Sequence, residues 1–238
     1  MPIRIRRKPP APHLDRLKTN FQEINRLLEI HKEISGEGPG YKHDVQVLNK
    51  SAIVLLLACW EAYIEDLAED CFDYMLNNAQ GPTVFPEHVL AIAAKELKKA
   101  DTLTFWGISG DGWRNGLTSH KQRILEKYIV KGSFNTPSAQ NVDRLFSELV
   151  GLTSLSAEWF WKGQSKDMSA KRLSDLIELR GAIAHRVACE TKVTKTMVVN
   201  YKKFITRLAV ISHNRALALI YARTNKKPWP RYRSGKTS

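Results

Sequence analysis

One stretch of the chain, DVQVLNKSAIVLLLACWEAYIEDLAEDCFDYMLNN at residues 44–78, predicts a long helix. Its apolar residues recur at spacings of three and four, which is the period of an α-helix. They give the helix a broad apolar face, formed by Val47, Leu48, Ile53, Leu56, Leu57, Trp60, Ile64, Leu67, Phe72 and Met75. A helix of this length spans most of a small domain, so we expect the remaining segments to pack around it.

The segments on either side show the same helical period. They predict further helices at 14–34, 86–99, 117–131, 138–149, 169–189 and 194–223. The segment 105–116 contains four glycines and two tryptophans and is expected to be a loop. No segment alternates with period two for long enough to predict a strand. The sequence therefore predicts an all-α bundle with two long helices, 44–78 and 194–223, and a helical insertion between them.

Composition excludes several classes of protein. Apolar residues make up 43% of the 238 residues, enough for a packed core, so wholesale disorder is excluded. The longest uninterrupted apolar run, 52–60, is nine residues, whereas a membrane-spanning helix needs about 20. Cys59, Cys71 and Cys189 are odd in number and form no C-x-x-C pair, which argues against a disulfide framework or a structural zinc site. We therefore expect a cytoplasmic protein that contacts no membrane and needs no metal or other cofactor.

The net charge of +13 is concentrated at the two ends of the chain. Residues 1–13 carry four cations and residues 223–238 carry six, and neither segment has an acidic residue, so the ends hold 10 of the 13 surplus charges. This pattern predicts a basic, Pro-rich tail (1–13), a helical domain (14–222) and a basic, aromatic tail (223–238). Such charge most often serves a polyanion, of which nucleic acid is the commonest.

The C-terminal tail interleaves cations with aromatic rings. This mixture favours RNA, which would be bound by charge and by stacking, over an acidic partner protein or a purely solubilising role. The candidate RNA-binding residues are Arg223, Lys226, Lys227, Trp229, Arg231, Tyr232 and Arg233.

The sequence LIELRGAIAHR at 176–186 places Arg180 and His185 on one predicted helix, with four residues between them. Spacing alone is weak support, because four other Arg–His pairs in the chain have similar separations: Arg7–His13, Arg26–His31, Arg114–His120 and Arg207–His213. Only Arg180 and His185 enclose small, apolar residues, Gly181-Ala-Ile-Ala184.

Helix geometry explains why these small residues matter. Gly181 and Ala182 share one stripe with Glu178 and His185, so they leave a notch that a substrate could enter. Arg180 is about 140° from His185 around the helix axis, at the edge of an apolar face. Its guanidinium must therefore reach round the helix, or meet its target across a second subunit.

The motif, together with the segments ACWEAYIEDL at 58–67 and TPSAQNVDRLF at 136–146, resembles the HEPN superfamily, in particular its RiboL-PSP or MAE-type branch. The resemblance covers about residues 14–222. It implies a homodimeric helical bundle and a metal-independent endoribonuclease, such as a toxin or phage-defence effector restrained by an antitoxin or another regulatory protein. It implies that His185 is the acid or base and that Arg180 stabilises the phosphate. Glu61 and Glu65, one turn apart on the long helix, have the chemistry to orient Arg180 or His185, although acidic residues on an amphipathic helix more often face water.

Other interpretations of the same residues stay open. An Arg–His pair in a helix is more often structural, and many motifs of this family carry Asn, Asp or His where this chain has Gly181. The alternative function is therefore a non-catalytic HEPN-like scaffold that binds RNA or a partner protein. His185 and Cys189 have a spacing that could serve a metal or a thiol nucleophile, but no third ligand lies nearby in sequence. Asn141 suits local hydrogen bonding, and Trp159 and Trp161 are expected to be core residues.

Overall fold

The structure is a computed structural model that describes residues 10–35, 45–97, 110–130, 136–185 and 192–233. These ranges contain seven α-helices and no strand, only an isolated bridge between Trp161 and Gln164. The helices are α1 (Pro12–Ser35), α2 (Gln46–Asn78), α3 (Glu87–Leu97), α4 (Trp113–Leu125), α5 (Ala139–Val150), α6 (Lys166–His185) and α7 (Lys195–Thr224). The predicted all-α fold is confirmed, and α2 and α7 are its two longest helices.

Helix α2 is the central helix, because α1, α5, α6 and α7 all pack against it. Buried residues occur on several sides of it, from Asn49 to Leu76. By length and composition alone α2 could cross a membrane. However, half of its most apolar stretch is buried inside the bundle. A helix surrounded by others in a core is apolar on most of its surface, so its position accounts for its composition.

Two buried tryptophans connect the central helix with the segment before α5 and with α7. Trp60 of α2 donates its indole N–H to the carbonyl of Pro137, 3.1 Å away, just before α5. Trp159 donates to Ser212 Oγ of α7 at 2.9 Å, and its ring meets that of Trp60 edge-on with 5.6 Å between centroids. Both indoles are fully buried and both N–H groups are paired, as burial requires. The prediction that Trp159 belongs to the core is confirmed.

The segment expected to be a loop at 105–116 differs in its second half. A 3₁₀ turn occupies Gly110–Gly112 and α4 begins at Trp113, while 105–109 lies outside the described residues. Arg114 explains this early start. It donates to the carbonyls of Leu76 and Ala79 at the end of α2, and its guanidinium lies 4.3 Å from the Trp113 ring centroid. These contacts over-ride the low helix propensity of the glycines.

The ends of the chain are more ordered than free tails would be. Helix α1 already begins at Pro12, and residues 1–9 lie outside the described part. After α7, residues 225–233 fold back onto the bundle. The Asn214 side chain donates to the Tyr232 carbonyl at 2.7 Å and accepts from its N–H at 3.1 Å, and Lys226 Nζ donates to Asn78 Oδ1 at 3.2 Å. Up to Arg233, the segment expected to be a tail is therefore part of the packed body.

Two glycines with the same backbone geometry have different surroundings. Gly151, which ends α5, has φ +80, and a Cβ there would overlap the Pro86 ring, 2.7 Å from its Cδ. Gly163 has φ +81, but a Cβ there would meet nothing within 4 Å. We expect Gly151→Ala to lower the free energy of unfolding by about 2–4 kcal/mol and Gly163→Ala by about 1 kcal/mol. Chemical denaturation measures both, and equal losses would contradict the steric role of Pro86.

Candidate active site

Helix α6 carries the Arg–His motif at its C-terminal end, where it packs against α2. Leu173 and Leu176, on its inner face, are fully buried. Arg180 follows them by seven and four residues, so its side chain leaves the helix on the same face. Arg180 is nevertheless only half-buried. The long guanidinium side chain therefore lies at the boundary between the core and solvent, where it can be held and still meet a ligand.

Glu61 of α2 is the acidic residue that the fold brings near Arg180. Burial raises the pKa of the half-buried Glu61 carboxyl, and the positive charge of Arg180 opposes that rise. The two groups are 119 residues apart in sequence, and only the packing of α6 on α2 places them together. The arrangement suits a carboxylate that orients a guanidinium by charge, which is the role expected for Glu61.

Glu65 lies one turn further along α2. Burial and the neighbouring charges of Glu61, Asp66 and Glu69 together raise the pKa of the Glu65 carboxyl to about 7. Carboxylates lose or accept a proton near neutral pH only when their surroundings disfavour the charged form to this degree. Glu65 therefore changes its charge near neutral pH, next to Glu61 on α2.

Among the described residues, the space expected beside the motif is not filled. A Cβ added at Gly181 would meet none of their atoms within 4 Å, and Gly181 and Ala182 are both partly exposed. His185 is the last residue of α6, and its side chain lies outside the described part of the chain. The small residues after Arg180 therefore leave its helix accessible on the side described here.

Among the described residues, no group of three or more His, Cys, Asp or Glu side chains could hold a metal ion. Two of the cysteines, Cys59 and Cys71, are buried and free, and Cys189 lies outside the described residues. Burial raises the pKa of the Cys59 thiol to about 11 and raises that of Cys71 well above its usual value. Both are therefore protonated at neutral pH and unsuited to nucleophilic attack.

A family model described as RiboL-PSP-HEPN matches residues 15–216, which is most of the chain and includes the whole of α2 and α6. The chain belongs to the RiboL-PSP-HEPN family. No curated protein and no solved structure matches it. Membership of the HEPN superfamily is consistent with a function related to RNA or of the ribonuclease type. In this HEPN protein, the motif residues Arg180 and His185 and the acidic Glu61 all lie inside the matched range.

Arg26, Arg114 and His120, from the other Arg–His pairs of this HEPN protein, have structural partners. Arg26 forms ion pairs with Glu29 and Glu33 on the surface of α1. Arg114 binds main-chain carbonyls, as described above, and His120 hydrogen-bonds the Glu148 carbonyl at 3.0 Å. Arg7 lies outside the described residues. Arg180, in contrast, has no hydrogen bond or ion pair within 4 Å in the described ranges.

His13 and His213, from two of the rejected pairs, form a buried network that the sequence does not suggest. His13 Nε2 and His213 Nδ1 are 2.8 Å apart, and both residues have no exposed surface. His13 Nδ1 lies 2.8 Å from Asp70 Oδ2 of α2, and His213 Nε2 donates to the Pro230 carbonyl at 2.9 Å. No sequence signal could have found this cluster, since its members are separated by up to 217 residues.

The candidate RNA-binding residues of the C-terminal segment divide into two groups. Trp229 is only 6% exposed, and its ring packs edge-on against His13, with 4.7 Å between centroids. Its face is unavailable to a nucleobase, which contradicts the stacking role predicted for it. Tyr232 is half-buried, with its ring against His213. The cationic candidates remain exposed at the surface, namely Arg223, Lys226, Lys227, Arg231 and Arg233.

Proposed function

We propose that this HEPN protein is a metal-independent endoribonuclease that cleaves RNA by attack of a 2′-hydroxyl on the adjacent phosphate. The observation that carries the proposal is the placement of Arg180. It lies half-buried near Glu61, beside Gly181, on the same helix as His185. A half-buried cation without an ion pair among the described residues, on the helix that carries His185, suits contact with a reacting phosphate.

The reaction needs three groups. A base removes the proton of the 2′-hydroxyl, an acid protonates the leaving 5′-oxygen, and positive charge stabilises the crowded phosphate between them. Histidine serves as base or acid near neutral pH because its ordinary pKa is about 6.5. We assign these proton transfers to His185 and the phosphate contact to Arg180. Glu61 is a positioning residue that acts through Arg180.

One His185 cannot remove one proton and donate another in the same step. A homodimer with the two α6 helices facing across a two-fold axis supplies two copies of His185 and two of Arg180 to one cleft. One histidine then acts as base and the other as acid, and the product carries a 2′,3′-cyclic phosphate. A dimer also explains why Arg180 and His185 can act together although they leave α6 in different directions.

An RNA-cleaving enzyme of this kind requires restraint in the cell. We propose that the protein acts in the cytoplasm as a toxin or phage-defence effector and that an antitoxin or other regulatory protein holds it inactive. Expression of the unrestrained parent then stops growth of the host, and His185→Ala relieves the arrest. A scaffold that only binds RNA or protein would be harmless in both forms.

Incubation of the purified protein with labelled single-stranded RNA tests the chemistry directly. We expect cleavage to persist in excess EDTA and the 5′ fragments to end in a 2′,3′-cyclic phosphate, because no metal takes part. His185→Ala should leave the RNA intact. The matched control is His88→Ala, an exposed histidine on α3 that hydrogen-bonds the Ser147 carbonyl and should cleave at the parent rate.

Three results would contradict the proposal. They are cleavage by His185→Ala at the parent rate, loss of cleavage in EDTA, and 3′-hydroxyl ends, which would indicate attack by water rather than by the 2′-hydroxyl. Sedimentation of the parent measures the oligomeric state in the same buffer. Mixing parent subunits with His185→Ala subunits tests the shared cleft. If the cleft needs both copies of His185, every mixed dimer is inactive and cleavage falls as the square of the parent fraction, whereas independent sites give a linear fall.

A further inference from the structure

The connection between α5 and α6 runs along the outside of α7 in the opposite direction. Glu158 lies 3.7 Å from Arg215, Trp159 hydrogen-bonds Ser212, and the Trp161 ring lies 4.7 Å from the Arg207 guanidinium. Successive contacts of the connection are therefore about one turn apart on α7 and approach the N-terminus of that helix. It ends beside a group of four residues that we call the basic aromatic strip, formed by Phe160, Arg172, Lys203 and Arg207.

The two guanidinium groups of this strip lie against aromatic rings of neighbouring residues, which are Trp161, Phe204 and Tyr201. Arg207 lies over the Trp161 ring, and the Trp161 and Phe204 ring centroids are 6.3 Å apart. Arg172 of α6 lies 4.7 Å from the Phe204 ring centroid and 5.6 Å from that of Tyr201. The ring faces hold both guanidiniums flat against the protein, which fixes their positions without neutralising their charge.

The positive charge of the strip is not balanced by carboxylates. Within the described ranges, neither Arg172 nor Arg207 forms an ion pair with a carboxylate, and Arg207 Nε has no hydrogen-bond partner. Lys203 is exposed one turn from Arg207. Helix α7 carries six Lys or Arg residues and no Asp or Glu. Arg172 also donates to the Asn200 carbonyl at 3.3 Å, and the unpartnered Arg207 Nε is buried, but no described carboxylate neutralises the charge of either residue.

Phe160 is the exposed ring of the strip. Its side chain is 57% exposed, although the residues before and after it pack inward. The bridge between Trp161 and Gln164 closes a tight turn through Gly163, in the left-handed conformation, directly after Phe160. Trp161, the next residue, lies against Arg207, so the exposed ring is one residue from the position where this cation is held. An exposed ring and cations on neighbouring parts of one surface have the chemistry that stacks a nucleobase and binds its phosphates.

Neighbouring elements extend the strip in both directions. The pairing of Tyr232 with Asn214 brings the exposed Arg231 and Arg233 to α7, about two turns from Arg207. In the other direction, Arg172 precedes Arg180 by eight residues on α6, a distance of about 12 Å along the helix. The strip thus connects the C-terminal cations to the helix that carries the motif.

We propose that the basic aromatic strip is the docking surface for single-stranded RNA. A base stacks on Phe160, and the phosphates contact Lys203, Arg207 and Arg172 as the strand runs along α6 toward Arg180. The inference rests on the proposed function only for RNA as the polyanion. Single-stranded rather than duplex RNA is expected because a base must be unstacked to cover Phe160.

Fluorescence anisotropy with a labelled single-stranded RNA tests the docking surface. All variants are made in the His185→Ala protein, so that binding is measured without cleavage. We expect Phe160→Ala to weaken binding roughly tenfold by loss of stacking. Arg207→Gln and Lys203→Gln should each weaken it and reduce the slope of log K against log salt by about 0.7, the effect of one lost phosphate contact.

Matched variants elsewhere provide the controls. Tyr221→Ala removes an exposed aromatic ring at the far end of α7, where Lys227 lies over it, and Arg26→Gln removes an exposed arginine on α1. Both should bind as tightly as the background protein. Because Lys203 is exposed and forms no hydrogen bond or ion pair with a described residue, Lys203→Gln tests the inference even if Arg207→Gln unfolds.

Unchanged affinity in Phe160→Ala and Lys203→Gln, or an equal loss in Tyr221→Ala, would overturn the inference. Unchanged RNA affinity with loss of dimerisation in Phe160→Ala would assign the strip to a second copy of the chain instead. These failures are separable from failure of the proposed function. If the parent cleaves RNA while the strip variants bind normally, only the docking surface is wrong.

Discussion

Arg180→Ala should lower kcat for RNA cleavage about 100- to 1000-fold, with a much smaller change in KM. Removing a single preorganised charge from a developing anion costs this much in other enzymes, because such a contact strengthens as negative charge accumulates in the transition state. Arg180→Lys should recover part of the loss, since lysine keeps the charge but lacks the planar fork of donors. Glu61→Gln should have a weaker effect, because Glu61 acts only through Arg180.

Steady-state kinetics on a short fluorogenic RNA provide the measurement. The control is Arg144→Ala, which removes an exposed arginine of α5 and should leave kcat unchanged. Thermal melting identifies variants that lose activity by unfolding. An Arg180→Ala protein with the parent kcat would remove Arg180 from the reaction, and a rise in KM alone would reduce its role to substrate binding.

Stability should fall in mild acid because of His213. The Pro230 carbonyl can only accept a hydrogen bond, so His213 Nε2 carries the proton and neutral Nδ1 accepts from His13. Burial lowers the pKa of His213 to about 4, and the charge of His13 acts in the same direction, while the bond to Pro230 opposes it. Asp70 faces the network through His13, and the Tyr232 ring covers it from the C-terminal segment.

The direction of the effect follows from the two protonation states. In the unfolded chain His213 takes up a proton near pH 6.5, whereas in the folded protein it stays neutral down to about pH 4. Its contribution to stability is therefore complete above pH 6.5 and declines as the pH falls from 6.5 to 4. Below pH 4 no further loss comes from this group. The total is about 3 kcal/mol in the free energy of unfolding.

Denaturant titrations between pH 7.5 and 4.5 measure this loss, and His213→Gln isolates it. Glutamine keeps a donor for the Pro230 carbonyl and an acceptor for His13 but does not titrate. We expect the variant to be less stable than the parent at pH 7.5 and to show a flatter pH dependence. His88→Gln, on the surface, should keep the parent slope. Equal slopes for parent and His213→Gln would show that another group controls acid unfolding.

The fold was predictable because the spacing of apolar residues within a segment shows that it is a helix and which face of that helix is buried. The apolar spacing in α1, α2, α5 and α7 placed those helices to within a few residues. The pattern of small residues around Gly181 likewise separated the motif from four similar Arg–His pairs. The prediction was wrong at Trp113, since the helix there begins through contacts of Arg114 with the end of α2, which leave no local signal.

The C-terminal segment also shows that contacts between distant residues leave no local sequence signal. Its cations and rings predicted an RNA-binding tail, yet Trp229 is buried against His13, a residue at the other end of the chain. Phe160 carried no sequence signal, because it adjoins tryptophans that pack inward. The exposure of Phe160, and the contacts of Arg172 with Phe204 and of Arg207 with Trp161, arise only in the folded protein.

The helical class, the approximate helices and the motif could be predicted from the residues alone, because period and local composition are properties of neighbouring residues. Which charges meet depends on the folded arrangement of the helices. Three pairs come from distant parts of the chain, namely Glu61 near Arg180, His13 against His213, and Arg207 over Trp161. Such contacts depend on how whole helices pack. The packing energy is distributed over many residues, so no single residue or local pattern predicts it.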